Sequence, residues 1–255
     1  MIDIFDVTLP GLTGSAPRRA YVYVPKAAAE DESLRFPVLY MFDGHNVFFD
    51  EEATYGKSWG LGEFLDEHGV PLIVAAVECN HGEDNDRLKE YAPYDFYAPG
   101  WGFIEGRGPR TMLWLVHSFK PEIDRNYPTK PDRAHTFIAG SSMGGLMSLY
   151  ALSRFNGDFS RAAALSPSLG FGPLKLERLL RGARMAGDTV LYMDMGEKEL
   201  AQFGTPWLFR RFCAVLLEKG VKLTARVVPG GEHNEASWEK QIPFFLPTLL
   251  YELED

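Results

Sequence analysis

The chain has 255 residues, 45% of them hydrophobic and 24% charged, with a formal net charge of −9. Such a composition excludes a disordered, collagen-like or disulfide-stapled chain and belongs to a globular protein able to bury a large core, expected as one domain over residues 1–255. The acidic balance repels nucleic acid and anionic membrane surfaces, and no apolar run approaches the roughly 18 residues that cross a bilayer, so neither partner is expected. The N-terminal MIDIFDVTLPGLTG has no basic and apolar leader pattern, which reads as a cytoplasmic protein. Cys79 and Cys213 lack CxxC spacing and read as free thiols. No Cys/His spacing points to a metal, and no cofactor is expected.

In chain order, Ile2–Thr8 and Arg19–Val24 alternate apolar and polar residues, as half-buried antiparallel strands do. Phe36–Phe42 and Leu72–Val77 are continuous apolar runs, the pattern of central strands covered on both faces. Thr136–Ala139, Ala162–Leu165 and Val190–Met195 repeat that pattern, and Leu223–Val228 alternates again. Helical spacing falls between them, at Trp59–His68, Arg110–Arg125, Met143–Phe155, Leu174–Met185, Phe203–Lys219 and Ser237–Glu252. Two antiparallel strands followed by repeated βα units predict an α/β fold with a mostly parallel sheet and helices on both faces. Asp43–Ser58 and Cys79–Pro109 read as long loops after central strands, at the sheet edge where such folds bind ligands.

The segment Gly140-Ser141-Ser142-Met143-Gly144-Gly145 stands between a predicted strand and a predicted helix. G-x-S-x-G in that setting is the nucleophile elbow, a turn so tight that side chains at the glycines would strike neighbouring backbone. It presents the Ser142 hydroxyl above the sheet and frees the Met143 N–H for a developing oxyanion. Without the flanking elements the same six residues would read as an ordinary Gly/Ser turn.

A serine nucleophile needs a base and an acid, in the order Ser…acid…His for this elbow. Of the six histidines, only His233 follows the serine, in a Gly-rich loop between the last predicted strand and the last helix. The acid belongs beyond a late strand. Val190–Met195 runs into Gly196-Glu197-Lys198-Glu199, and many hydrolases carry the acid three residues after such a glycine, which selects Glu199. Asp194 and Glu197 compete with it, and a solvated helix-start carboxylate is the bland alternative.

The second oxyanion donor comes from the loop after an earlier strand. Asp43-Gly44-His45-Asn46 follows Phe36–Phe42, and Gly44 permits a turn that aims the His45 or Asn46 amide at the pocket. Loop aromatics such as Trp59 and Phe171 either stack on an aromatic acyl group or sugar ring or pack the loops down.

At these residues the chain resembles the putative-esterase family of α/β-hydrolases, which includes enterochelin, feruloyl and acetylxylan esterases and mycolyltransferases. FPVLYMFDGHNVF, NDRLKEYAP, FKPEIDRNYPT, HTFIAGSSMGGLMSLY, MDMGEKE and GGEHNEASW carry the resemblance across nearly the whole chain. It implies the three-layer α/β-hydrolase fold, with Ser142 as nucleophile, His233 as base and Glu199 as acid, where many members carry Asp. It also implies that Arg87, Glu90 and Tyr91 shape the loop beside the pocket; pairing of Arg87 with Glu90 would be a purely structural alternative. The expected activity is hydrolysis of a small-molecule or carbohydrate-linked ester. Acyl transfer to an alcohol and a catalytically silent binding protein are the rivals.

Overall fold

The computed structural model describes residues 1–83, 86–202 and 204–253. The predicted strands form β1 (Ile2–Thr8), β2 (Pro17–Tyr23), β3 (Val38–Phe42) and β4 (Ile73–Val77). A short hairpin, β5 (Phe96–Ala98) and β6 (Gly102–Ile104), precedes β7 (Thr136–Ser141), β8 (Arg161–Leu165), β9 (Val190–Gly196) and β10 (Lys222–Val228). Apart from the hairpin, they lie in one sheet of eight strands, ordered β1-β2-β4-β3-β7-β8-β9-β10. β2 pairs antiparallel with β1 and β4, and every later pairing is parallel.

The continuous apolar strands take the centre because both of their faces are covered. Every residue of β3, β7 and β8 is buried. On one face Tyr40, Ile138 and Ala162 pack with Leu146, Leu149, Leu176 and Phe212 from the helices Met143–Arg154, Pro173–Gly182 and Thr205–Glu218. On the other, Leu39, Phe137 and Ala163 pack with Leu61 and Leu65 of Leu61–His68 and with Phe245 and Leu249 of Ile242–Leu250. This is the expected three-layer α/β-hydrolase arrangement, and it brings the carboxyl ends of β3, β7, β8, β9 and β10 to one edge.

Several segments differ from the sequence expectation. The C-terminal helix is two pieces, Glu235–Glu239 and Ile242–Leu250, because Pro243 in the first turn of the second has no N–H to continue the first. The helix expected over 203–219 spans Thr205–Glu218, and Phe203 lies outside the described residues. Cys79–Pro109 is not a bare loop. Besides the hairpin it carries the helix Asp86–Glu90, fastened to β2 by a bidentate pair between buried Arg18 and Glu90, both contacts 2.6 Å. Among the described residues, no helix is long and apolar enough to cross a membrane.

Candidate active site

Ser142 stands at the end of β7 with φ 57° and ψ −119°, a conformation that L-residues rarely hold. The close approach that enforces it is visible at the glycines. A Cβ on Gly140 would sit 2.8 Å from the Gly144 carbonyl carbon. The strained turn is held from outside, by Ser142 N–H donating to Leu165 O (2.9 Å) and Ser168 N–H to Ser142 O (3.0 Å). Met143 opens the helix with its side chain buried, and its N–H has no acceptor among the described residues.

His233 comes to Ser142 from the loop after β10. Its Nε2 lies 2.8 Å from Ser142 Oγ and its Nδ1 lies 2.6 Å from Glu199 Oε1. The other Glu199 oxygen accepts the Gly196 N–H at 2.9 Å and the Ser166 hydroxyl at 2.6 Å. Burial opposes ionisation of Glu199, but the bonds from His233 and Ser166 outweigh it and hold the carboxyl below its usual range.

The two competing acids are occupied elsewhere. Asp194 lies inside β9, accepting the Ser166 N–H (2.9 Å) and the Tyr192 hydroxyl (3.0 Å). Burial, reinforced by the Glu199 charge, outweighs the bonds from Ser166 and Tyr192 and the more distant Arg226 charge, and pushes it up to about 7. Glu197 is exposed and accepts the Gly230 N–H at 2.7 Å. Neither touches the imidazole.

Ser166 is the residue that sequence reasoning missed. It follows β8 at φ 41°, donates to Glu199 and accepts the Trp238 indole N–H at 3.1 Å. Trp238 also meets the His233 ring edge-on, with centroids 5.1 Å apart. No spacing in SPSLGF marks Ser166; the only available signal was its place directly after a central strand, on the ligand-binding edge.

Opposite the acid, the turn Asp43-Gly44-His45-Asn46 caps β3. Asp43 is left-handed at φ 59°, and a Cβ on Gly44 would meet the Val77 backbone at 2.9 Å, so the turn lies directly on the end of β4. Arg87 fixes it with two 2.7 Å bonds to the buried Asp43 carboxylate. Burial again opposes the charge, and Arg87 again wins, holding Asp43 low. Tyr91 is fully buried beneath the turn, where its hydroxyl accepts the Asp43 N–H at 3.1 Å.

Several site expectations need correction here. The Asn46 N–H is consumed inside the turn by Asp43 O at 2.8 Å, while the His45 N–H keeps no acceptor among the described residues. Trp59 is core, packed on Trp238 and Phe245 rather than facing either pocket beside Ser142, because its aromatic surface is worth more buried than in a loop. Tyr91 and Gly44 support the turn and line neither pocket. Arg87 and Glu90 do not pair with each other; each takes a different buried partner, Asp43 and Arg18.

Two bays flank Ser142. One, about 500 Å³, is largely apolar, with Leu169, Phe171, Met195 and Leu208 in its wall; Phe171 is stacked on Phe96 at 4.9 Å. The other, about 250 Å³, is polar and includes His45, Asn46, Thr54, Arg87 and Glu235. Glu235, buried, accepts from the Asn46 side-chain Nδ2 at 3.2 Å, and burial raises its carboxyl.

Strand order, parallel pairing and helices on both faces of the sheet define the class as an α/β-hydrolase fold. The chain belongs to the family described as "Putative esterase", whose profile matches residues 15–251, and ester hydrolysis is the activity class of that family. Over 184 residues it is 23% identical to the "Uncharacterized protein YbbA" of Bacillus subtilis (strain 168), covering 71% of this chain and 69% of that protein. Among solved structures it is similar to a ferulic acid esterase (TM-score 0.71, 18% identity, covering 98% and 97% of the two chains). It is also similar to the enterobactin and salmochelin hydrolase IroE (TM-score 0.67, 22% identity, covering 94% and 92%).

Proposed function

We propose that this protein is a serine carboxylic-ester hydrolase working through a Ser142–His233–Glu199 triad and an acyl-enzyme. The single observation that carries the reading is the unbroken chain of contacts from Ser142 Oγ to His233 Nε2 (2.8 Å) and from His233 Nδ1 to Glu199 Oε1 (2.6 Å). Glu199 accepts the Nδ1–H, which leaves the Nε2 lone pair facing the serine hydroxyl.

His233 takes the Ser142 proton as Oγ attacks the ester carbonyl. Negative charge moves to the carbonyl oxygen, where the Met143 and His45 N–H groups meet it, each such donor worth about 3–4 kcal/mol. Collapse expels the alcohol, which receives the proton from His233. Water then repeats the sequence, giving its proton to His233 and its oxygen to the acyl carbon, and Ser142 leaves with a proton returned. The Glu199 carboxylate offsets the charge on the imidazolium in both halves.

The apolar bay fits the apolar part of the substrate, with the Phe171 ring, backed by Phe96, as its aromatic wall. The polar bay fits the hydrogen-bonding part. An ester whose two halves differ in this way is the expected substrate class.

A fluorophosphonate probe, followed by peptide mapping, should place the label on Ser142. A series of acyl esters from acetyl through butyryl to feruloyl should then show turnover rising as the acyl group fills the apolar bay. Absence of labelling in the folded protein would defeat the nucleophile assignment, and hydrolysis undiminished in Ser142→Ala would do so equally.

A further inference from the structure

His45, Cys79 and His81 converge on the polar bay from two different loops, one after β3 and one after β4. One potential ligand atom from each lies within 4.8 Å of the other two. The His45 and His81 rings meet edge to face, with centroids 4.7 Å apart.

A second observation singles out His45. Its side chain is 5% exposed and its Nε2 contacts Thr54 Oγ1 at 3.0 Å, yet its Nδ1 is buried without any partner. Buried polar atoms are almost always satisfied, so an orphaned imidazole nitrogen on a residue that lines a cavity needs an explanation. With Nε2–H donated to the threonine, Nδ1 carries a free lone pair. A ligating histidine is oriented in this way, one nitrogen on the metal and the other on a protein oxygen.

We propose that His45, Cys79 and His81 bind a borderline-soft divalent cation of the zinc type, and that the bound ion closes the polar bay beside Ser142. Two imidazoles and a thiolate are the donor set such ions prefer over the oxygen-seeking magnesium and calcium. In a tetrahedral site with metal–nitrogen and metal–sulfur bonds of about 2.1 and 2.3 Å, ligand atoms stand roughly 3.4–3.6 Å apart. Closing the present triangle takes a contraction of about 1 Å. Exposed His81, on the loop after β4, is free to supply that movement, while buried His45 and Cys79 are the fixed side. On binding, Cys79 gives its thiol proton to solvent and its sulfur pair to the metal. Asp43 and Glu78 add negative potential at His45, and the nearby Arg87 charge is largely neutralised by Asp43. Because Ser142 and His233 line the same bay, occupancy obstructs the substrate. That inhibitory consequence rests on the esterase reading; the binding does not.

Cobalt(II) separates the two claims, because a thiolate ligand gives an intense near-ultraviolet charge-transfer band whatever the enzyme hydrolyses. Titration of the wild-type chain should give one cobalt per chain with that band. Cys213→Ser should keep it, and Cys79→Ser should lose it. His81→Ala alters an exposed residue and leaves the core intact. It should weaken binding by more than the about 10–100-fold typical of outer-sphere partners. Wild-type protein without the band, a band surviving Cys79→Ser, or equal affinity in His81→Ala would each overturn the site. In the kinetic arm, zinc should inhibit wild-type ester hydrolysis and inhibit His81→Ala far less, each relative to its own zinc-free rate. Equal inhibition of both would place the ion elsewhere, on His233 for example, and overturn the proposed closure. A wild type that binds cobalt but turns over no ester would refute the esterase reading and leave the metal site standing.

Discussion

On the His233 side of Ser142, the Glu199 carboxylate is gripped by the Gly196 N–H, the Ser166 hydroxyl and the imidazole, with Trp238 closing over Ser166. On the Gly44 side, the Asp43 carboxylate is gripped by one guanidinium and its backbone N–H by a buried tyrosine. Each flank stores a buried negative charge, but the first faces an imidazole, which can gain and lose a proton, whereas the second faces a guanidinium, which stays charged. The first suits chemistry and the second suits holding a turn still. Asp194, a few residues from Glu199 and more deeply buried, shows what happens when, among the described residues, no imidazole or guanidinium bonds the carboxylate: it rises to about 7. Burial alone does not keep a carboxyl ionised; at Glu199 the bonds from His233 and Ser166 do.

The contrast is broken most completely at the serine. Ser142→Ala should lower kcat about 10⁴–10⁶-fold, and the double variant with His233→Ala should be little worse than either single one, since the two act as a unit. Steady-state rates and probe labelling read this out. Unfolding midpoints should barely move, because the strain of the elbow is enforced by the Gly140–Gly144 approach rather than by the hydroxyl.

Glu199→Gln is next. It keeps the shape but removes the charge that stabilises the imidazolium, so kcat should fall about 10²–10⁴-fold. Glu197→Gln should stay close to the wild-type rate, because the exposed Glu197 carboxylate bonds the Gly230 N–H and, among the described residues, not the imidazole. Equal losses in the two variants would shift the acid away from Glu199.

On the other flank, Arg87→Met leaves Asp43 charged and buried without its partner. Removing one member of a fully buried pair costs about 3–5 kcal/mol, and the partial exposure of Arg87 brings the expected loss to roughly 2–3 kcal/mol in urea unfolding. The turn carrying the His45 N–H should loosen with it, lowering kcat more than it raises KM. An unchanged kcat would mean that this flank holds the fold and nothing more.

The smallest effect concerns Asp194 and pH. Its folded pKa is raised above the unfolded value, so the folded state holds the proton more tightly. The stabilisation is therefore complete below the unfolded carboxylate range and is lost as pH rises towards about 7. Asp194→Asn can still accept from Ser166 and donate to Tyr192, and it does not titrate. Its stability relative to wild type should therefore increase between about pH 4 and pH 7, measured by paired urea titrations. Glu199, held low, runs the opposite way: its contribution is present above the unfolded carboxylate range and fades as pH falls through its folded pKa.

Much of this molecule was legible in one dimension because its signals are local. Apolar runs of strand length, helical spacing and a G-x-S-x-G between them determined the α/β class and pointed to Ser142, and elimination by chain order singled out His233. Glycine-plus-three spacing pointed to Glu199, which the fold brings against the imidazole while turning Asp194 inward and Glu197 outward. What only the tertiary structure decided is pairing across long sequence separations. Arg87 meets Asp43 and not Glu90, Ser166 bridges Glu199 and Trp238, Trp59 disappears into the core, and His45 shares a bay with Cys79 and His81. The physical reason is that a side chain's type limits which bonds it can make, while which partner is near enough to make them depends on strand order, and strand order is set by how the whole sheet buries its two faces.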